Sequence, residues 1–385
     1  MKDLAIKITD TIKSVLMSER EFLHEPRFNN EEIKNLTKCI ESSFVSTVGQ
    51  YVNEFEDEIA NYTKSKRAIA VVNGTSALHI ALKLSGVGEG EEVICPALTF
   101  VATANAISYL NAIPHFVDCN EKTLGIDPLS LGNWLDKSCE KISGNLFNKN
   151  TGRKISAIVP MHTFGHPSEI IQIIDIARNF GIPIVEDAAE SLGSFYHNRH
   201  TGTFGDFGVL SFNGNKIITS GGGGVILTNN IDLANKAKHI TSTAKIPHQW
   251  RYIHDQVGYN YRMPNLNAAL GCAQLKKLDD FCKSKRNLFL KYKFAFRDLN
   301  GITLFKEPPF SKSNYWLQTL ILDKGLESEL EEILEFTNNN GIMTRPAWDL
   351  LPNLKMYKEC PRAPLPIAHS LSNRIINIPS SAYLV

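Results

Sequence analysis

The chain has 385 residues, enough for one large domain and a smaller one, each with its own core. Its 41 lysines and arginines stand against 40 acidic residues, and a net charge of +1 gives no electrostatic case for a nucleic-acid or membrane-surface partner. The seven cysteines are scattered and never form a C-x-x-C pair, so they read as reduced, buried thiols of a cytoplasmic protein, not as a disulfide or zinc framework.

The N-terminus, MKDLAIKITDTIKSVLMSER, breaks its apolar positions with Lys7, Asp10 and Lys13. That pattern predicts an amphipathic helix and not a signal sequence, and no apolar run is long enough to span a bilayer. Short β-branched runs follow at Ala68–Val72, Glu92–Cys95, His115–Asp118, Ser156–Pro160, Pro183–Glu186, Gly208–Phe212 and Gly224–Thr228. Most lack in/out alternation, as expected of strands buried on both faces. Helical patterns at Thr75–Ser85, Val101–Leu110 and Ser168–Phe180 separate the earlier runs. The alternation predicts an α/β fold with a mostly parallel, seven-stranded sheet between two helical layers. The last two runs leave no room for a crossover helix and should pair antiparallel. After Pro264 the chain reads as one long helix carrying Leu266, Leu270, Ala273, Leu278 and Phe281, and a smaller α/β unit follows from Gly301. The expected partition is an N-terminal helix and arm (1–30), a large domain (31–285) and a small C-terminal domain (286–385).

The stretch SFNGNKIITSGGGGVILTNN sets Lys216 ahead of four glycines. A phosphate loop needs its glycines first and Ser or Thr after the lysine, so that reading fails on order. A lysine amine also forms Schiff bases with carbonyl compounds, pyridoxal 5'-phosphate among them. Features at neighbouring strand ends test that idea, because open parallel sheets bind ligands there. Gly74, Thr75 and Ser76 open a helix whose free N–H groups favour an anion, although an ordinary helix cap by Thr75 or Ser76 has the same sequence. Asp187 follows a buried strand, where a carboxylate suits a pyridinium nitrogen; a solvated loop acid is the alternative. Glu190 lies one helical turn on, within reach of the same pocket, while Glu186 faces away. Ser211 ends another strand and suits a phosphate, with Asn213 as a further candidate. Phe100 sits where a ring can stack on a flat heterocycle or pack in the core. His162 and His166 stand four apart, but in a loop with no third ligand evident, so no metal is expected. Arg262 is placed to pair with a carboxylate or a diphosphate, or to form a surface salt bridge.

The segments GTSALHIAL, EDAAESLGS, SFNGNKIITSGGGG and GYNYRMPNLNAALGCAQL closely resemble the DegT-type sugar-nucleotide aminotransferases, pyridoxal-dependent enzymes of fold type I. FVSTVGQYVNEFE, PMHTFGHP and NIPSS bring the resemblance nearest to the 4-aminotransferases of legionaminic acid and bacillosamine synthesis. The resemblance implies that Lys216 bonds the cofactor and Asp187 holds its ring nitrogen. It further implies that Thr75, Ser76 and Ser211 bind the phosphate and that Phe100 stacks on the ring. Glu190 departs from the Gln or His usual at its place. By the same resemblance Asn260 reaches the neighbouring subunit's cofactor, making a homodimer with shared sites, and Ser46, Thr47, Val48 and Gly49 contact the nucleotide sugar. Glutamate is the implied amino donor. In the related dehydratases histidine replaces the lysine, which Lys216 argues against. A nicotinamide enzyme would need G-x-G-x-x-G where this chain has NGTSALHIA.

Overall fold

The computed structural model of the chain describes residues 2–384. Seven strands build its main sheet: β1 (Arg67–Val71), β2 (Glu92–Pro96), β3 (Ile113–Val117), β4 (Ile155–Ile158), β5 (Val185–Asp187), β6 (Phe207–Ser211) and β7 (Gly224–Thr228). Their order is β1-β7-β6-β5-β4-β2-β3, with β4 joined to β5 through the parallel bridges Ile158–Ile184 and Met161–Asp187. β7 runs antiparallel to both its neighbours, and the remaining contacts are parallel. The antiparallel β6–β7 pair is as the short link between them requires. That β7 also separates β1 from β6 depends on distant pairing.

Successive strand residues point to opposite faces. Val93, Cys95, Phe116, Ala157 and Val185 join one buried cluster with helices Gly74–Leu84 and Val101–Ser108. Ile94, Val117, Ile158 and Ile184 join another with helices Pro128–Ser138 and Ile170–Phe180. The sheet is therefore the middle of three αβα layers, and burial on both sides explains its unalternated apolar runs. Truncating a wholly buried residue such as Ile94 to Ala would cost about 2–5 kcal/mol.

The single long helix expected after Pro264 is corrected to two, Asn265–Leu275 and Leu278–Ala295. Apolar residues lie on both sides of the break at Lys276–Lys277, so periodicity cannot reveal it. Asp279 and Asp280 open the second helix, where carboxylates favour its N-terminus. This helix passes position 285 unbroken and leads to a second, antiparallel sheet of Ile302–Leu304, Gln318–Leu322, Ile375–Ile378 and Arg345–Pro346, in that spatial order. The amphipathic helix Lys2–Leu16 buries Ala5, Ile8 and Ile12 against Leu288, Tyr292, Leu320 and Ile333 of this C-terminal unit. No described helix is long and apolar enough to cross a membrane.

Candidate active site

The carboxyl ends of the parallel strands and the amino end of β7 meet at one edge of the sheet. The register aligns Val71 and Ser211 with Gly224, and Asp187 with Val209. A cavity of about 380 Å³ opens there, lined among others by Gly74, Thr75, Phe100, Asp187, Glu190, Ser211, Asn213 and Lys216. Eight of the sequence candidates, drawn from four separate segments, thus share one pocket.

At one wall, helix Gly74–Leu84 begins against β6. Asn73 is its N-cap, accepting the Ser76 N–H at 2.7 Å, so the cap is neither Thr75 nor Ser76. The Ser76 N–H is thereby occupied, and the residue does not line the cavity. The opening N–H groups of Gly74 and Thr75 have no carbonyl one turn back to bond, which leaves them suited to an anion. A Cβ on Gly74 would stand 3.0 Å from Ser211 Cβ and 3.3 Å from its Oγ, so the glycine keeps this cradle open.

Asp187 lies deep in the same cavity. Thr103 donates to its Oδ2 at 2.7 Å and the Ala189 N–H to its Oδ1 at 3.2 Å. Burial nevertheless raises its carboxyl above the usual range, outweighing these bonds and the nearby Lys216. Such a site gains by meeting a cation. Lys216 Nζ stands 3.3 Å from Glu190 Oε1 and 4.1 Å from the centre of the Trp316 ring.

The indole is placed by Asn314. Its Nδ2 donates to the carbonyls of Glu190 (2.9 Å) and Leu192 (2.8 Å), and its Oδ1 accepts the Trp316 N–H at 2.8 Å. This latch fastens the C-terminal unit to the turn after β5, and the strand Gln318–Leu322 begins just beyond it. Trp316, Trp348, Met161 and Asn215 also line the cavity, although the sequence offers no local signal for them.

The remaining candidates lie outside the cavity lining. Ser46 and Val45 offer carbonyls to the N–H groups of Asn265 and Leu266, at 2.5 and 3.4 Å, so the Ser46–Gly49 loop packs on that helix start. Asn260 pairs with Ser242, and Arg262 with Val71, beside the edge strand β1. Arg262 makes no ion pair among the described residues, and its buried Nε lacks a hydrogen-bond partner. The preceding segment, which shows no strand pattern in sequence, folds into a small antiparallel ribbon of Lys245–Ile246 and Ile253–His254. Of the histidines, His162 bonds buried Glu186 at 3.1 Å, while His166 packs between the rings of Phe305 and Tyr315.

Together these groups suit a molecule with an anionic end, a ring cation and a carbonyl, which is the chemistry of pyridoxal phosphate. Comparison with known proteins agrees. A sequence profile of the DegT/DnrJ/EryC1/StrS aminotransferase family matches residues 26–384. The GDP-perosamine synthase of Escherichia coli O157:H7 is 37% identical over 358 residues, covering 93% of this chain and 92% of that protein. A DegT DnrJ EryC1 StrS aminotransferase from Brucella abortus is 27% identical and superposes with a TM-score of 0.82 over 92% of this chain and 91% of the other. At 24% identity, PseC of Helicobacter pylori, an aminotransferase involved in the biosynthesis of pseudoaminic acid, shares the fold with a TM-score of 0.86 over 95% of each chain. The chain belongs to the DegT/DnrJ/EryC1/StrS family and is a pyridoxal-phosphate-dependent sugar aminotransferase of fold type I.

Proposed function

We propose that the enzyme transfers an amino group from glutamate to C4 of a nucleotide-linked 2-acetamido-4-keto-2,6-dideoxyhexose. The product would be a 4-amino-6-deoxy sugar nucleotide for a bacterial surface glycan or nonulosonic acid. One observation carries the transaminase chemistry: the Lys216 amine, the Asp187 carboxylate and an open helix start share one cavity. Bound there, pyridoxal phosphate supplies an aldehyde that carries nitrogen and a ring that accepts electrons. In this reading the Gly74 and Thr75 N–H groups and Ser211 Oγ hold the phosphate, with Ser76 fixing the helix start and Asn213 at the rim. Asp187 keeps the ring nitrogen protonated. Phe100 covers a ring face, and Lys216 Nζ moves the proton between carbon centres.

The same reading makes the enzyme a homodimer in which each subunit completes its neighbour's site. Support comes from exposed aromatic residues on the ribbon before Asn260, since Trp250 is 71% and Tyr252 82% exposed. Aromatic side chains are enriched at interfaces. The Arg262 guanidinium, whose buried Nε has no partner among the described residues, suits a substrate carboxylate or diphosphate, and the Ser46–Gly49 loop would face the nucleotide sugar.

A panel of UDP- and GDP-linked 4-keto sugars tests the substrate, with glutamate as donor and products identified by mass and NMR. The GDP arm follows from the similarity to GDP-perosamine synthases. Amination at C4 of the 2-acetamido sugar is the expected result. Exclusive amination at another carbon, or of a sugar without the acetamido group, would sink the substrate assignment.

A further inference from the structure

Glu190, like Asp187, is tied at both oxygens, but it is the cavity acid that meets the Lys216 amine directly. Oε2 accepts the Phe164 N–H at 2.9 Å, and Oε1 faces Lys216 Nζ at 3.3 Å. Phe164 is in the left-handed region at φ +55, which aims its N–H at the carboxylate. The Glu190 carbonyl is held in turn by Asn314. The carboxyl therefore has little freedom to swing away. On the other side of Nζ, the Trp316 ring attracts a cation but takes no proton. Among the described residues, Glu190 Oε1 is the only hydrogen-bond acceptor that Lys216 Nζ reaches.

Resting on the reading of Lys216 as the proton carrier, we propose that Glu190 is its proton-sharing partner. The shared proton sits on Nζ in the waiting site and passes to Oε1 when the amine must act as a base. One N–H bond breaks and one O–H bond forms, turning an ammonium and a carboxylate into a neutral amine and a carboxylic acid. The carboxyl is suited to this exchange because burial pushes it up to about 7, against the pull of Lys216. The other titratable groups facing the pair are Asp187, which disfavours charge on Glu190, with His162 near Asp187 and His24 near Lys216.

The alternative is that Glu190 only anchors the Phe164 turn. Glu190→Gln separates the two, since its amide oxygen still accepts the Phe164 N–H but takes no proton. The experiment uses cofactor-free protein and measures acylation of Lys216 by mass spectrometry across pH 6 to 9. Loss of the facing carboxylate favours the neutral amine, and Lys216 should acylate about tenfold faster at pH 7, the equivalent of one pK unit. An unchanged acylation profile in a folded variant overturns the proposal. If that variant does not fold, Lys216→Met gives the reciprocal measurement. Carboxyl-carbon NMR should then show Glu190 titrating at higher pH than in the wild type, and an identical titration overturns the proposal equally. Turnover by Lys216→Ala would refute the reading of Lys216 as the proton carrier, on which this proposal rests. A dead Lys216→Ala beside unaltered acylation in Glu190→Gln removes only the proton-sharing role.

Discussion

Replacing Asp187 with Asn should separate the two costs that meet at this residue. Without cofactor, the buried carboxylate is a burden, as its raised titration indicates. Asn has the same shape and a place to bond. The Thr103 hydroxyl lies 2.7 Å from Asp187 Oδ2 and 3.1 Å from Thr99 Oγ1, so it can turn its proton to Thr99 and accept from the new amide. The cofactor-free variant should therefore be as stable as the wild type, or more so. With cofactor the balance reverses, because an amide cannot hold the ring nitrogen protonated by charge. A hydrogen bond to a charged group is worth about 1.5–3 kcal/mol, so losing about 2–3 kcal/mol weakens binding roughly 30- to 150-fold. At a cofactor concentration 100 times the wild-type Kd, ligand stabilisation of about 2.7 kcal/mol should drop below about 1 kcal/mol. Thermal unfolding with and without pyridoxal phosphate, beside a turnover assay, reads both effects. A cofactor-induced shift and a rate equal to wild type would place the nitrogen's partner elsewhere. A variant already destabilised without cofactor would make the role of Asp187 structural.

Three further outcomes follow from the same geometry. Because burial raises Glu190 to about 7 from an ordinary value of 4.5, the folded cofactor-free protein keeps a proton that the unfolded chain has lost. Its contribution is full below about 4.5 and lost as pH rises through about 7, so denaturant titrations should show wild type losing stability against Glu190→Gln across that window; parallel pH profiles would contradict the burial argument. Gly165→Ala should cost at least about 2 kcal/mol and slow turnover, because its φ is +93 and a Cβ would stand 1.9 Å from Asn314 Oδ1, breaking the latch that places Trp316. Urea melts and kcat together check it, and near-normal values for both would mean the latch is dispensable. Mixing Lys216→Ala with Asn260→Ala, each impaired alone, should restore partial activity once subunits exchange, since one site of each heterodimer has both residues. Confirmed exchange with no recovery would show that Asn260 serves its own chain.

Much of the fold is local in origin and could be read directly. Runs such as Glu92–Pro96 and Phe207–Ser211 are buried on both faces and advertise themselves by composition. Lys216, Asp187 and Gly74 were found by their position at strand ends, where an open parallel sheet forms its crevice. What escaped the sequence depends on distant contacts. The insertion of β7 between β1 and β6 is set by pairing across more than a hundred residues of chain. Trp316 sits in a strand-like run and reaches the cavity only because Asn314 ties that segment to the turn at Glu190. Thr103 and Phe164 act through single hydrogen bonds to the two cavity acids, and neither residue type marks such a role in advance. The helix cap is Asn73, three residues before Ser76, and Asn is as favoured a cap as Ser or Thr, so the sequence alone does not single it out.

The most direct test of the account is to find where the cofactor attaches. Purified protein loaded with pyridoxal phosphate should be yellow, and borohydride should bleach it while fixing the cofactor to one lysine. Among the lysines of the chain, peptide mapping should place the added mass on Lys216 alone, with none in Lys216→Ala. Attachment at another lysine, or no attachment to a protein that still turns over, would contradict the assignment on which the mechanism rests.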